Sequence, residues 1–397
     1  MERRFFIIGA GMGARDGLTG EAKRALDAAD AVFATARLAG LRADAKICPL
    51  GELAERAVSS GAASAALLVS GDVGFFSAAP RLRQALLPHG AVTLFCGLSS
   101  MQVFCAKLGM AYEDAFAVSL HGRRGSLLGP VSYHEKVFAL TGGENRADAL
   151  CAGLAEAGLG RLTVHLGENL GAADERVTTG TAASLAGAGC GDLAVLLVEN
   201  PAAADASAPI RDTMLTRGKA PMTKEEVRWV ALAKLAVRPR DTVWDVGAGT
   251  GAMTLELARR AHLGLTYAVE RNPEALALLR ENRVKLGGYN VLPVPGLAPE
   301  ALHALPAPDC VFVGGSGGAL AGILRAAREK NPKVRVAVTA VSLETVGEAL
   351  GALREAGFAN IETVQLAAAR GQTAGSHTLM RANNPVYLFT GGGAHGE

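Results

Sequence analysis

The residues best suited to chemistry form a glycine-rich loop in the second half of the chain. Residues 245–251 read Asp-Val-Gly-Ala-Gly-Thr-Gly and separate a short apolar run from a helical pattern. Glycines let the backbone approach a ligand closely, and the free amides of a helix N-terminus then face that ligand. Glu270 follows 19 residues after Gly251, where a carboxylate can accept two ribose hydroxyls. The pattern indicates a ligand that contains a nucleoside.

Two details of this loop favour S-adenosylmethionine over a dinucleotide. The glycine spacing is G-x-G-x-G rather than G-x-G-x-x-G, and Asp245 lies two positions before the first glycine. A carboxylate near the ligand suits a sulfonium cation and an amino group, whereas it repels a pyrophosphate. Two alternatives stay open at this point: the glycines only form a tight turn, or the loop binds a dinucleotide.

Strand and helix patterns alternate around this loop and predict a Rossmann-like, doubly wound α/β domain over residues 211–392. Thr223 and Glu226 have the spacing of a capping box, which predicts that a helix begins there. The predicted strands are 242–246, 265–269, 290–294, 310–313, 334–341 and 386–390, and the predicted helices are 255–260, 274–286, 320–328 and 344–356.

The first half, residues 1–200, also reads as α/β with a substantially parallel sheet. Residues 99–108 predict a helix, and the Gly- and Arg-rich residues 122–130 predict a boundary between two lobes. Residues 201–210 are mostly small and include Pro201 and Pro209, which predicts a linker. The predicted strands are 5–8, 66–69, 92–95, 137–140, 162–166 and 193–198.

Composition excludes several classes of protein. The net charge of +2 and the absence of a Lys/Arg block argue against nucleic-acid binding. The six cysteines form no C-x-x-C and have no histidine at ligand spacing, which predicts reduced thiols and no metal site. No apolar run reaches the roughly 18 residues of a membrane span, and the apolar run near the N-terminus is too short for a signal peptide. We therefore expect a cytoplasmic protein without a membrane partner.

Several stretches of the second half resemble the cobalt-precorrin carbon-15 methyltransferase (decarboxylating) family. They are residues 221–228, 245–251, 270–274, 313–318 and 384–388. The resemblance implies a site for S-adenosylmethionine built from Thr223, the glycine loop, Glu270 and the backbone around Ala298. Leu297 occupies the position where that family usually has an aspartate that contacts adenine, so we expect this contact to come from the backbone.

Loops of the first half resemble the tetrapyrrole methylases of the uroporphyrinogen/precorrin type, with the precorrin carbon-5 methyltransferases as the nearest branch. The resemblance covers residues 3–199, and Val73 departs from it because the wider family usually has proline there. It implies a two-lobed tetrapyrrole-methylase fold, in which loops 71–77 and 99–100 bind the cofactor and Gly11 and Gly13 line a tetrapyrrole trough. The motifs that carry it are 9–13, 70–77, 96–100, 121–123, 167–170 and 174–177.

The two halves together resemble the precorrin-6Y C5,15-methyltransferase (decarboxylating) family of cobalamin biosynthesis. This resemblance implies one S-adenosylmethionine per domain, methylation of carbons 5 and 15 of a precorrin, and loss of carbon dioxide from the ring C acetate, giving precorrin-8X. It also implies a homo-oligomer. The alternatives are a methyltransferase with another acceptor, a nicotinamide-dependent dehydrogenase, or a non-catalytic ligand-binding protein.

The candidate site residues follow from these motifs and from the carboxylates of a precorrin, which Arg and Lys would bind. For any single cation a solvated surface charge is the alternative, and a lone histidine is more often structural. The predicted cofactor residues are Gly71, Asp72, Ser77, Ser99, Ser100, Thr223, Asp245, Gly247, Ala248, Gly249, Thr250, Gly251, Glu270 and Ala298. The predicted substrate residues are Gly11, Gly13, Lys224, Ser316, Arg370 and Arg381, with Arg124, Arg217 and Lys219 as further candidates. The predicted catalytic residues are His121, Arg123 and His377.

Overall fold

The computed structural model describes residues 3–122, 125–218 and 222–392. The chain divides into two compact units: unit 1 comprises Met1–Arg124 and Lys136–Glu199, and unit 2 comprises Gly125–Glu135 and Asn200–Glu397. The chain therefore enters unit 2 briefly, returns to unit 1, and enters unit 2 again at Asn200. None of the helices in the described residues has the length and apolar character that a membrane crossing requires.

The first sheet of unit 1 is entirely parallel. Its strands are β1 (Arg4–Gly9), β2 (Ala31–Ala34), β3 (Lys46–Ile47), β4 (Ser64–Val69) and β5 (Ala91–Phe95), in the order β3-β2-β4-β1-β5. The helices are α1 (Gly20–Ala28), α2 (Leu53–Ser59), α3 (Ala79–Leu86) and α4 (Ser100–Leu108). Separate apolar clusters cover the two faces of this sheet, so every residue of β4 is buried. A strand buried on both faces reads as a continuous apolar run, which is why it was predictable.

A second sheet of mixed direction completes unit 1. Its strands are β6 (Phe116–Ser119), β7 (Lys136–Leu140), β8 (Thr163–Glu168), β9 (Arg176–Thr181) and β10 (Ala194–Glu199), in the order β6-β7-β10-β8-β9. Helix α5 (Leu128–Tyr133) belongs to unit 2, and α6 (Ala147–Leu154) and α7 (Ala182–Leu185) to unit 1. Only β6 and β7 pair in parallel. Because β6 is part of this sheet, the second lobe begins before residue 122, and the predicted lobe boundary at 122–130 is wrong.

Unit 2 is a seven-stranded, doubly wound sheet, which confirms the predicted fold class. The strands are β11 (Val243–Val246), β12 (Thr266–Glu270), β13 (Val291–Pro295), β14 (Cys310–Val313), β15 (Arg335–Ala340), β16 (Glu362–Leu366), β17 (Ala369–Ala374), β18 (His377–Ala382) and β19 (Val386–Gly391). The helices are α8 (Glu225–Leu235), α9 (Ala252–Arg260), α10 (Pro273–Lys285), α11 (Leu320–Lys330) and α12 (Leu343–Glu355). The order is β13-β12-β11-β14-β15-β19-β16, and β17 and β18 form a separate hairpin.

The strand order of this sheet reverses between β11 and β14, the third and fourth of its seven strands. All neighbours are parallel except β19, which runs antiparallel to β15 and β16. Open α/β sheets bind ligands beyond the carboxyl ends of the strands at such a reversal. The glycine loop at 245–251 follows β11 and therefore lies at this position.

The start of α8 differs from the sequence prediction. The helix begins at Glu225 with Lys224 as its N-cap residue, and no side chain caps it. The predicted capping box is wrong because Thr223 precedes the N-cap residue and the carboxylate of Glu226 binds elsewhere. The carbonyl oxygen of Thr223 accepts a hydrogen bond from Arg228, and the carboxylate of Glu226 accepts two from Arg370 (2.7 and 2.6 Å).

Helix α5 is attached to unit 2 by buried hydrogen bonds. The Tyr133 hydroxyl donates to Oδ1 of Asn290 (3.0 Å), and the backbone N–H of Tyr289 donates to the Ser132 hydroxyl (3.0 Å). Asn290 is itself fully buried and donates to the carbonyl oxygens of Ala258 and Ala261. This asparagine thus links α5 to the end of α9.

Tyr133→Phe removes the partner of a buried acceptor, and we expect the free energy of unfolding of unit 2 to fall by about 1–3 kcal/mol. Both tryptophans of the chain, Trp229 and Trp244, lie in unit 2, so their fluorescence during a urea titration reports this unit. The matched control is Tyr112→Phe, which changes an exposed tyrosine of unit 1. If both variants unfolded at the wild-type midpoint, α5 would not contribute to the stability of unit 2.

Candidate functional site

A cavity of about 520 Å³ lies at the carboxyl ends of β11, β12 and β14 in unit 2. Its wall includes residues from four loops that are far apart in sequence. Five predicted site residues meet there: Gly247, Gly249, Glu270, Ala298 and Ser316. Leu297, which stands where the resembling family has aspartate, lines the same cavity and is half-exposed.

Glu270 is the fixed carboxylate of this first cavity. The backbone N–H of Gly249 donates to its Oε2 (2.8 Å), and the backbone N–H of Asn272 donates to its Oε1 (2.8 Å). A carboxylate can accept about four hydrogen bonds, so each oxygen retains capacity for one hydroxyl of a ribose. This geometry fits the ribose-binding role predicted for Glu270.

The close contact between the loops after β11 and β14 requires glycine. A Cβ at Gly247, where φ is +74°, would lie 2.5 Å from the carbonyl oxygen of Gly315. No real Cβ makes such a contact, so any other residue would push the two loops apart. Gly247 is therefore required for contact between two loops, and the predicted approach of this backbone to a ligand stays a prediction.

A second cavity of about 520 Å³ adjoins the first, and Gly247 and Gly314 line both. Asn384, from the motif at 384–388, lines the second cavity. Five further predicted site residues line it as well: Thr223, Lys224, Asp245, Ala248 and Thr250. Among the described residues that line this second cavity, Lys224 is the one Lys or Arg.

Asp245 is buried in the wall of the second cavity with one carboxylate oxygen unpartnered. The Thr254 hydroxyl donates to Oδ2 (2.5 Å), whereas Oδ1 has no hydrogen-bond partner within the described part of the chain. Burial raises the pKa of Asp245 to about 7, the Thr254 hydrogen bond opposes this rise, and the charge of Glu270 adds to it. The hydroxyl oxygen of Thr250 is likewise buried and unpartnered there. These atoms suit a ligand that brings cationic or hydrogen-bonding groups.

Several cations predicted to bind substrate already have partners or lie away from both cavities. Arg370 forms ion pairs with Glu226 (2.6 Å) and Asp212 (3.1 Å), and these charges raise its pKa. Arg217 lies 3.6 Å from Asp212. Arg381 donates to Gln372 within the exposed hairpin β17–β18.

His377 opens β18 of the same hairpin and is exposed, so the structure does not bring it to a cavity wall described above. Gly251 precedes α9 as its N-cap residue rather than lining a cavity. Arg123, Arg124 and Lys219 lie outside the described residues.

Unit 1 has its own cavity, of about 420 Å³, at the carboxyl edge of its parallel sheet. Four predicted residues line it: Gly71, Ser77, Ser100 and His121. The carbonyl oxygen of Thr141 lies 3.0 Å from Nδ1 of His121. Since a carbonyl oxygen only accepts, Nδ1 carries the proton in this contact.

Other predicted residues of unit 1 hold its loops in place. Oδ1 of Asp72 accepts from the backbone N–H of Gly74 (2.8 Å), and its Oδ2 accepts from that of Gly97 (3.1 Å). Gly11 and Gly71 exchange two backbone hydrogen bonds (3.1 and 2.9 Å). The Ser99 hydroxyl forms a capping box with Gln102 at the start of α4. Gly13, with φ at +95°, does not line the unit 1 cavity.

Sequence reasoning missed Arg37, which also lines this cavity. The residue follows β2, a strand of four residues in an alanine-rich stretch that the sequence patterns did not identify. The available signal was the short apolar run 31–34, which Arg37 follows by three residues.

Comparison with known families defines the chain as a two-unit methyltransferase. Residues 4–186 match the tetrapyrrole (corrin/porphyrin) methylases, and residues 215–391 match the precorrin methyltransferase domain. The two matches fall on the two halves in which the glycine-rich loops and cavities lie.

Individual relatives extend this result. The chain is 33% identical over 337 residues to the precorrin-6Y C(5,15)-methyltransferase [decarboxylating] of a Sinorhizobium species, covering 81% of each protein. It is 36% identical to the cobalt-precorrin-6B C(15)-methyltransferase (decarboxylating) of Salmonella typhimurium, over 45% of this chain and 94% of that one. A crystal structure of the precorrin-6Y C5,15-methyltransferase from Geobacter metallireducens is 34% identical, with a TM-score of 0.44, over 47% of this chain and 96% of that one. The chain belongs to the family of decarboxylating precorrin-6Y C5,15-methyltransferases.

Because the pKa of Asp245 is about 7, its carboxyl is neutral below that pH and ionised above it. If a cationic group of S-adenosylmethionine binds beside this carboxyl, its binding should weaken in acid. We expect the affinity of unit 2 to fall by up to about tenfold per pH unit below pH 7. Trp244, adjacent to Asp245 and buried, provides the fluorescence signal for the titration.

Asp245→Asn should abolish this pH dependence, and Asp309→Asn, at the opposite end of the sheet, should retain it. If Asp245→Asn kept the wild-type pH profile, Asp245 would not contact the cation.

Proposed function

We infer that the chain methylates a precorrin at carbons 5 and 15 and decarboxylates its ring C acetate, a step of cobalamin biosynthesis. The observation that carries this function is that each unit has a cavity at the carboxyl ends of parallel strands, bordered by glycine loops. Membership of the family supplies the substrate class. One S-adenosylmethionine per unit is part of the proposal.

Unit 2 fits S-adenosylmethionine through three features of its own residues. Glu270 has free acceptor capacity, and within the described residues Asp245 has an unpartnered buried oxygen and Thr250 an unpartnered buried hydroxyl. When bound, S-adenosylmethionine supplies an electrophilic methyl group. The protein then has to orient the acceptor carbon in line with that group and exclude water, and this needs no covalent nucleophile.

We assign methylation at carbon 15 and decarboxylation to unit 2, and methylation at carbon 5 to unit 1. Lys224 in the second cavity is the residue that would hold a precorrin carboxylate there. Ser316 lies in the first cavity and would contact the ligand near the methyl donor. In unit 1, His121 lies in the cavity wall, and its Nε2 would accept a proton from the methylated carbon skeleton. The cytoplasmic location and the homo-oligomer stay predictions.

The assignment is tested by a variant of each unit, assayed with precorrin-6Y and labelled methyl donor. Glu270→Gln removes a charge-assisted ribose contact and should weaken cofactor binding in unit 2 by about tenfold or more. Methylation at carbon 15 and carbon dioxide release should fall with it, whereas methylation at carbon 5 stays at the wild-type rate. Glu329→Gln, an exposed position on α11, is the matched control.

Gly97→Ala is the reciprocal variant, because its Cβ would lie 2.4 Å from the carbonyl oxygen of Gly9 in unit 1. It should abolish methylation at carbon 5 and leave carbon 15 and decarboxylation unchanged. Locating the labelled methyl groups by NMR separates the two reactions. Equal loss of both methylations in either variant would contradict the division of labour between the units.

A further inference from the structure

We propose that Arg37 anchors the tetrapyrrole in unit 1 by binding one of its side-chain carboxylates during methylation at carbon 5. This inference rests on the proposed function and names a substrate-binding residue outside the predicted set. Four observations carry it: the position of Arg37 at the sheet edge, its hydrogen bonds, its lack of an acidic partner, and its exposure.

Arg37 lies at the ligand-binding edge of the parallel sheet. Strand β2 ends at Ala34 beside β4, and the turn that follows brings Thr35 and Arg37 to the wall of the unit 1 cavity. The loops after β1 and β4 reach the same wall through Met12 and Gly71. Three neighbouring strands thus direct their following residues to one cavity, as expected of an open α/β sheet.

Two hydrogen bonds fix the guanidinium at this edge. Nη1 donates to the Ser70 hydroxyl (2.8 Å), and Nη2 donates to the carbonyl oxygen of Met12 (3.2 Å). A guanidinium has five N–H donors in a rigid planar fork, so three donors of Arg37 are still available. Its partners belong to the two loops that border the cavity, and its position is therefore tied to theirs.

No carboxylate within the described parts of the chain compensates the charge of Arg37. Among the described residues it forms no ion pair, whereas Arg42 and Arg15 in the same unit each pair with an aspartate. The described wall of the cavity contains no carboxylate, and Arg37 is its one permanently charged group. A fixed guanidinium without an acidic partner, beside a largely apolar cavity, is the arrangement that recognises a ligand carboxylate.

S-adenosylmethionine also carries a carboxylate, so either the methyl donor or the precorrin could supply the group that Arg37 binds. The position of Arg37 favours the precorrin. Its side chain is exposed at the mouth of the cavity, and it binds Met12, between Gly11 and Gly13. A macrocycle too large for the cavity must extend past this mouth, whereas the methyl donor has to be enclosed next to the reacting carbon.

Arg37→Gln tests the proposal in the full chain with precorrin-6Y as the varied substrate. The KM for methylation at carbon 5 should rise by about 10- to 100-fold, as expected when a charged hydrogen-bond donor is lost. Arg37→Lys should recover part of this loss, because it keeps the charge without the planar fork. Raising the salt concentration should increase the KM of the wild type more than that of Arg37→Gln.

Three controls make the result decisive. Methylation at carbon 15 in the same molecules should be unaffected, and Arg83→Gln, an exposed position on α3, should behave as wild type. Retained affinity of unit 1 for S-adenosylhomocysteine shows that Arg37→Gln is folded.

An unchanged KM for precorrin-6Y would overturn the proposal. A loss confined to the affinity for S-adenosylmethionine would also overturn it, since the anchored carboxylate would then be that of the methyl donor. If the wild type did not methylate carbon 5, the proposed function itself would fail.

Discussion

Direct backbone contact between strand-end loops is the constraint on which both sites depend. In unit 1 the loop after β5 meets the end of β1 at Gly97 and Gly9, and in unit 2 the loop after β14 meets the loop after β11 at Gly315 and Gly247. Glycine is required at each contact because a Cβ on Gly97 or Gly247 would come within 2.4 or 2.5 Å of a carbonyl oxygen. Without these contacts the loops would separate, and the cavities beside them would lose their walls.

In each unit a carboxylate accepts hydrogen bonds from backbone amides of these loops. The two carboxylates differ in whether they can also accept hydrogen bonds from a ligand. Asp72 bridges the amides of Gly74 and Gly97, so its oxygens connect two loops of unit 1. Glu270 binds the amides of Gly249 and Asn272 and also lines a cavity, where it can accept further hydrogen bonds. The same interaction therefore holds loops together in unit 1 and presents an acceptor to a ligand in unit 2.

The sequence made the fold class and the glycine loops predictable because buried parallel strands read as apolar runs that end in glycine. β4 and β14 are examples, since both are buried throughout. The capping box at Thr223 was predicted wrongly because a tertiary contact, the pairing of Glu226 with Arg370, is invisible in local spacing. β2 was missed because four residues within an alanine-rich stretch give no clear period, and Arg37 was missed with it. Roles that need contact with a ligand stay predictions.

The account's central claim is that each unit holds one methyl donor, and the number of binding sites tests it most directly. Equilibrium dialysis of the full chain with labelled S-adenosylhomocysteine counts these sites without requiring the reduced precorrin. We expect two molecules bound per chain, and one for Gly247→Val, whose side chain would separate the loops of unit 2. A single molecule bound to the wild-type chain at saturation would contradict it.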